Sequence, residues 1–274
     1  MIPSGTRQLV RQRLLSTLAF LCLACLGTPT SATERNVRDD LTAIFKEHGT
    51  TGTFVLYDVS ADRMTLVNAE RAQTRFVPAS TFKIANSLIA LETGVVKDEN
   101  EVIPYGGKPQ PFKQWERDMP IREAIVVSNV PVYQELARRI GLERYNQWLR
   151  RIGYGNGDPG SEVDRFWLDG PLEIGAVEQV QFLARLVQRE LDASERAQKA
   201  VHDILRLENG DGPALYGKTG WLFSRTPQLG WWVGWVEREN GIFTFALNMD
   251  ILEKDDVKKR VPIGKALLAK LGVL

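Results

Sequence analysis

The chain has 274 residues, 43% apolar and 25% charged, with a formal net charge of +1. That balance describes one globular domain with an insertion, or two closely packed lobes, and it offers no basic excess for a nucleic-acid partner. Both cysteines, Cys22 and Cys25, lie in the first 32 residues, so the remainder has no disulfide, no thiolate nucleophile and no cysteine metal site.

Residues 1–32 read as a cleavable signal peptide. Arg7, Arg11 and Arg13 precede the apolar run LLSTLAFLCLACLG, which is short for a membrane span, and Thr30-Ser31-Ala32 suits cleavage after Ala32. A retained anchor is the weaker reading, and Cys22 stands where a lipoprotein signal wants an aliphatic residue before Cys25. Cleavage would leave residues 33–274 as a single domain of net charge 1 − 3 = −2, periplasmic and with no membrane contact after processing.

TFVLYDVSADRMTLVN (53–68) predicts two strands joined by a polar turn at Ser60 to Arg63. PASTFK (78–83) follows. Behind it Ile84, Leu88, Ile89 and Leu91 recur at helical spacing, and Pro78 suits a helix start. Ser80 and Lys83 therefore fall one turn apart on one helix face, a hydroxyl beside an amine. From about 100 to 208 the pattern is mainly helical, with a loop rich in Gly and Pro over 153–175. After 213 it returns to strands in ALYGKTGWLF, GWWVGWVE and GIFTFALNMD, and residues 256–274 close with a helix. The predicted class is α+β: an antiparallel sheet built from both chain ends, flanked by helices, with the helical lobe inserted and a cleft between.

His48 and His202 have no partner at metal-ligand spacing, and neither H-E-x-x-H nor G-x-S-x-G occurs, so no metal is expected and a serine enzyme here would not use histidine as its base. Gly155 to Gly160 matches G-x-G-x-x-G formally, but it follows a helix and contains Pro159, which reads as a turn.

S-x-x-K alone is more often a helix-start serine and a surface lysine. Three further segments change that reading: Ser128-Asn129-Val130 in the helical lobe, Tyr154-Gly155-Asn156 opening the long loop, and Lys218-Thr219-Gly220 ending a strand. In that order they make the motif series of penicillin-recognising serine acyltransferases. An activated serine attacks the lactam carbonyl to form an acyl-enzyme, and the oxyanion needs two backbone donors, for which the N–H groups of Ser80 and Trp221 are the natural pair.

Within that group the chain resembles the class D serine β-lactamases, the oxacillinases, over 33–274, through PASTFK, SNVPVYQ, YGN, FWLDGPL, YGKTGW and WWVGW. The resemblance implies a β-lactam substrate, Ser80 as the acylated nucleophile and Lys83 as a lysine carboxylated on its amine by carbon dioxide, with no other cofactor. It implies Ser128 as proton shuttle, Val130 as an apolar wall of the lysine pocket, and Trp167 as the indole that holds the carbamate. Lys218, Thr219, Gly220 and Arg260 match the groups that bind the substrate, while Trp115 and Leu168 match residues at the cleft mouth. The middle segment is S-N-V rather than S-D-N, and no E-x-x-L-N occurs, so a separate deacylating glutamate is not expected. A pocket lined by Phe82, Val130 and Trp167 would lower the lysine pKa towards the neutral amine that carboxylation needs. The rivals are a penicillin-binding transpeptidase and a β-lactam sensor domain, both of which acylate without turnover.

Overall fold

Two hydrophobic layers separated by one sheet organise the chain, and the sequence of the central strands shows why. The computed structural model describes Met1 and residues 33–207 and 212–274; the expected signal peptide and both cysteines lie outside the described residues. Thr33–Leu274 forms one compact unit.

The elements run in chain order as β1 (Glu34–Val37), α1 (Thr42–Glu47), β2 (Gly52–Asp58), β3 (Arg63–Val67), α2 (Ala69–Gln73) and α3 (Lys83–Glu92). The helical stretch carries β4 (Val102–Ile103), β5 (Met119–Pro120), α4 (Ile121–Val126), α5 (Val130–Ile140), α6 (Leu142–Arg151), α7 (Ala176–Val187) and α8 (Glu195–Ile204). Then come β6 (Ala214–Leu222), β7 (Gln228–Arg238), β8 (Gly241–Ile251) and α9 (Arg260–Lys270).

Six strands form the sheet in the order β1-β3-β2-β8-β7-β6, so both chain ends do fill it. One feature differs from the expected all-antiparallel sheet: β1 pairs with β3 in parallel, at the edge. All the other pairings in this sheet are antiparallel. A second difference is the small β4–β5 pair inside the helical stretch.

The run WWVGWV of β7 is buried throughout because helices cover both faces of the sheet. Alternate residues serve opposite layers, as strand geometry requires. Trp231, Val233 and Trp235 pack with α3 and α7 residues such as Leu88 and Leu183. Trp232 and Val236 pack with Phe45 of α1 and Ile263 and Leu267 of α9. Burying side chains of this size contributes roughly 1.5 to 3 kcal/mol each, so this two-sided strand is the rigid spine on which the edge strand β6 rests.

Candidate active site

Ser80 does not open an α-helix directly. It lies in a 3₁₀ turn, Ala79–Phe82, that feeds into α3 at Lys83. The tighter turn still stacks residues three apart, and Lys83 Nζ lies 2.8 Å from Ser80 Oγ. Lys83 has no exposure to solvent. Burial, and then the charge of Lys218, push its pKa well below the ordinary lysine value. Its ammonium would also sit 5.2 Å from the centre of the Tyr133 ring. The result is a hydroxyl and a readily neutral amine in contact, the arrangement that S-x-x-K suggested.

Ser128 ends up opposite because of how α5 begins. Asn129 caps that helix, its side chain accepting from the Val132 N–H at 3.0 Å, and Pro131 follows in the first turn. The turn before the cap leaves Ser128 at φ +55°, a left-handed conformation uncommon outside glycine. Ser80, Ser128 and Val130 all line one cleft of about 180 Å³.

The third wall is the edge strand. On the outer edge of β6 the Leu215 carbonyl accepts from Leu207 and the Gly217 N–H donates to Leu205. Strand alternation then points the N–H groups of Thr219 and Trp221 to the same free edge, where Thr219, Gly220 and Trp221 line the cleft with Ser80. Ser80 stands in the first turn of its helix, where backbone N–H groups have no intrahelical acceptor. Two such donors beside one hydroxyl form a hole for a developing oxyanion.

Lys218 is buried under this wall, its Nζ donating to the Thr219 carbonyl at 3.1 Å, and desolvation with the nearby Arg260 charge brings its pKa down to about 7. Arg260 donates to the carbonyls of Val257, at 2.6 Å, and Gly220, and burial brings its pKa down to about 10. Arg260 also lines the cleft, so of the three basic residues in KKR (258–260) it is the one that reaches the site. Trp115 and Leu168 stand at the mouth. The Trp115 indole donates to the Val127 carbonyl at 3.0 Å, which holds that ring beside the Ser128 turn.

Trp167 does not touch the open cleft; it is fully buried. Phe82, the residue before Lys83, packs against it at 5.6 Å and against Phe166 at 5.2 Å. The indole Nε1 of Trp167 is buried without a hydrogen-bond partner. A buried indole N–H normally finds an acceptor, so this donor fits an anionic group carried on Lys83.

Several residues at the site were not singled out from sequence. Phe112 pairs with Trp115 at 4.7 Å and Phe223 with Trp221 at 4.6 Å, extending the apolar rim on both sides. Tyr133 stands two positions after SNVP and reads only as a core position of an amphipathic helix. Gly155 to Gly160 is a loop, with Gly155, Gly157 and Gly160 all at positive φ. His48 and His202 bind elsewhere, to the Ile44 carbonyl at 2.9 Å and to Glu237 at 2.7 Å.

Comparison with known proteins places this geometry. A family profile described as penicillin binding protein transpeptidase domain matches residues 45–269. The chain is 40% identical to β-lactamase OXA-48 of Klebsiella pneumoniae over 255 residues, 93% of this chain and 96% of the relative. It is 39% identical to β-lactamase OXA-10 of Pseudomonas aeruginosa over 256 residues, 92% and 95% of the two chains. Among solved structures, the class D β-lactamase YbXI from Nostoc superposes with a TM-score of 0.83 at 42% identity, covering 85% of this chain and 99% of that one. FUS-1 (OXA-85), a class D β-lactamase from Fusobacterium nucleatum subsp. polymorphum, gives 0.84 at 42% identity, covering 87% and 100%.

Proposed function

The chain belongs to the class D serine β-lactamases, and on that premise we propose that it hydrolyses β-lactams, penicillins first, through an acyl-enzyme on Ser80. The contact that carries this reading is Ser80 Oγ at 2.8 Å from a fully buried Lys83 Nζ, on the wall of a cleft edged by β6. Ser80 Oγ attacks the lactam carbonyl carbon as its proton passes to the base at Lys83. The N–H groups of Ser80 and Trp221 hold the oxyanion, each such donor contributing roughly 3 to 4 kcal/mol. Ser128 relays that proton from the base at Lys83 to the lactam nitrogen as the C–N bond breaks. Water, giving its proton to the same base, then attacks the ester carbonyl, so that the product acid leaves and Ser80 Oγ takes the proton back. Thr219 and Arg260 hold the substrate carboxylate from the cleft wall, Lys218 adds positive charge from behind it, and Trp115, Leu168 and Gly220 bound the space for the side chain.

The residues around Lys83 fit a carboxylated lysine. Its amine is biased towards the neutral form that reacts with carbon dioxide, and Trp167 supplies an unpaired buried donor. When present, the carbamate supplies an oxygen base where the bare lysine offers only an amine. We place residues 1–32 as a periplasmic signal peptide cleaved after Ala32, on the arginines and apolar run already described. No helix among the described residues is long and apolar enough to cross a membrane.

Turnover of a chromogenic cephalosporin tests the reading. Hydrolysis of many equivalents per protein is expected, with resistance in cells that export it. Release of a single equivalent, followed by a stable adduct, would instead mark an acylating receptor or transpeptidase.

A further inference from the structure

We infer that Gln179 is a positioning residue for acylation, fixing through Thr81 the strained turn that presents Ser80. The inference rests on Ser80 being the nucleophile.

Gln179 lies on α7 and is 1% exposed, on a helix whose Val177, Val180 and Leu183 are also buried. A leucine would fill that helix face without any polar atom to satisfy. Instead the carboxamide nitrogen donates to Thr81 Oγ1 at 3.0 Å and approaches the Tyr154 hydroxyl at 3.5 Å. Thr81 has one hydroxyl proton, and it goes to the Pro78 carbonyl at 2.8 Å. Thr81 Oγ1 can therefore only accept from Gln179, which fixes both the orientation of the amide and the direction of the relay. The same orientation leaves Gln179 Oε1 buried without a partner.

The relay ends on the turn that matters. Ala79, between Pro78 and Ser80, has φ +49°, a conformation that costs a residue with a Cβ and persists only where the surroundings impose it. Those surroundings are visible. The Pro78 carbonyl also accepts the Thr81 N–H at 3.2 Å, and the Trp231 indole donates to the Val77 carbonyl at 3.1 Å. β6 passes close over the turn: a Cβ on Gly220 would stand 3.0 Å from the Pro78 oxygen and 3.1 Å from Thr81 Cγ2. The angle of this turn sets where Ser80 Oγ and its N–H point relative to the Trp221 N–H on the strand above. Gln179 touches neither substrate nor Ser80, so its effect runs through Thr81.

The experiment compares Gln179→Leu, Thr81→Val and the double variant with the parent enzyme and with Thr81→Ser. Stopped-flow acylation by a saturating chromogenic cephalosporin gives the rate, intact mass gives the fraction labelled on Ser80, and thermal melting gives stability. Each single variant should acylate about ten- to a hundredfold more slowly per labelled site, the scale of a misplaced reacting atom. The encounter affinity should hold, and the double variant should be slower than the slower single one by no more than about twofold, because both changes cut one relay. Thr81→Ser keeps the hydroxyl and should restore the rate. Parent-like rates per labelled site, with losses confined to melting temperature or labelled fraction, overturn the inference; so do losses that multiply in the double variant. If Gln179→Leu does not fold, the Thr81→Val and Thr81→Ser pair decides alone. A parent enzyme that takes no label on Ser80 refutes the functional reading itself, a result distinct from a labelled parent with unaffected variants.

Discussion

Arg260 lies across Gly230: a Cβ at that glycine would stand 2.7 Å from Arg260 Cδ and 2.9 Å from Cγ. Gly230 pairs with Trp221 across the β6–β7 ladder, so the bare backbone of β7 is the channel through which the guanidinium reaches the Gly220 carbonyl and the cleft. Gly230→Ala should push the arginine out of that channel while leaving Ser80 and Lys83 in place. The expected result is a KM for penicillins raised about tenfold, within the range of one charged hydrogen bond, with kcat little changed. Steady-state kinetics on Gly230→Ala, Arg260→Ala and the double variant check it. The double variant should match Arg260→Ala; a further loss would mean the glycine acts through something else.

Ser80→Ala should abolish covalent labelling by penicillins with the fold intact. The hydroxyl is half-buried, and Lys83 Nζ is its hydrogen-bond partner. Its removal should cost at most about 1.5 kcal/mol, the net worth of an ordinary hydrogen bond. Intact mass after penicillin treatment, beside a thermal melt, reads both. A penicilloyl adduct on the alanine variant would move the nucleophile elsewhere.

Lys83→Met should stabilise the protein, and the sign of its pH dependence is fixed. Burial lowers the folded-state pKa of Lys83 beneath its unfolded value, so folding disfavours the charged form. The penalty is fully present below the folded pKa, shrinks as pH rises through the window between the folded and unfolded values, and is gone above the latter. The gain from Lys83→Met should follow the same course, largest in acid and fading towards strongly alkaline pH. Denaturant titrations of both proteins across that range, in degassed buffer, measure it. A gain that grows with pH would show that the lysine is not desolvated in the fold.

These predictions draw on residues of unequal legibility. Ser80 and Lys83 could be paired from sequence because a helix turn, α or 3₁₀, brings positions three apart together whatever the tertiary structure. GWWVGWVE could be read as a strand and the stretch around Ser128 as helical, but the break between α4 and α5 at Asn129 and the burial of β7 on both faces came only from the structure. β1 could not be read: its four residues are all exposed, so burial imposes no alternation on ERNV, and its parallel pairing depends on where β3 ends up. β4 and β5 are two residues each, shorter than any period. Gln179 was hidden for a different reason. In sequence it is one polar residue in an amphipathic helix, and only the contact with Thr81, 98 positions earlier, separates it from a solvated one.

Carbon dioxide should control activity, and Trp167 should set how tightly. The reaction at Lys83 requires a neutral amine, which the lowered pKa favours and acid removes. Turnover should therefore rise with added bicarbonate, most strongly at pH below neutrality, where protonation competes best. The Trp167 N–H is the unpaired donor available to hold the product by a charge-assisted hydrogen bond of roughly 1.5 to 3 kcal/mol. Trp167→Phe keeps an aromatic ring against Phe82 and Phe166 while removing the donor, at the cost of some buried ring volume that a thermal melt reads separately. Retention of carbon dioxide should weaken by roughly ten- to a hundredfold, since about 1.4 kcal/mol is a factor of ten. Excess bicarbonate should rescue Trp167→Phe in part and Lys83→Met not at all. Carbon NMR with labelled bicarbonate reads the carbamate signal without reference to activity: strong in the parent, weak in Trp167→Phe, absent in Lys83→Met. Equal turnover of the parent in degassed and bicarbonate buffers, with no carbamate signal, would leave Lys83 acting as a free amine, and Trp167 Nε1 would then need another acceptor.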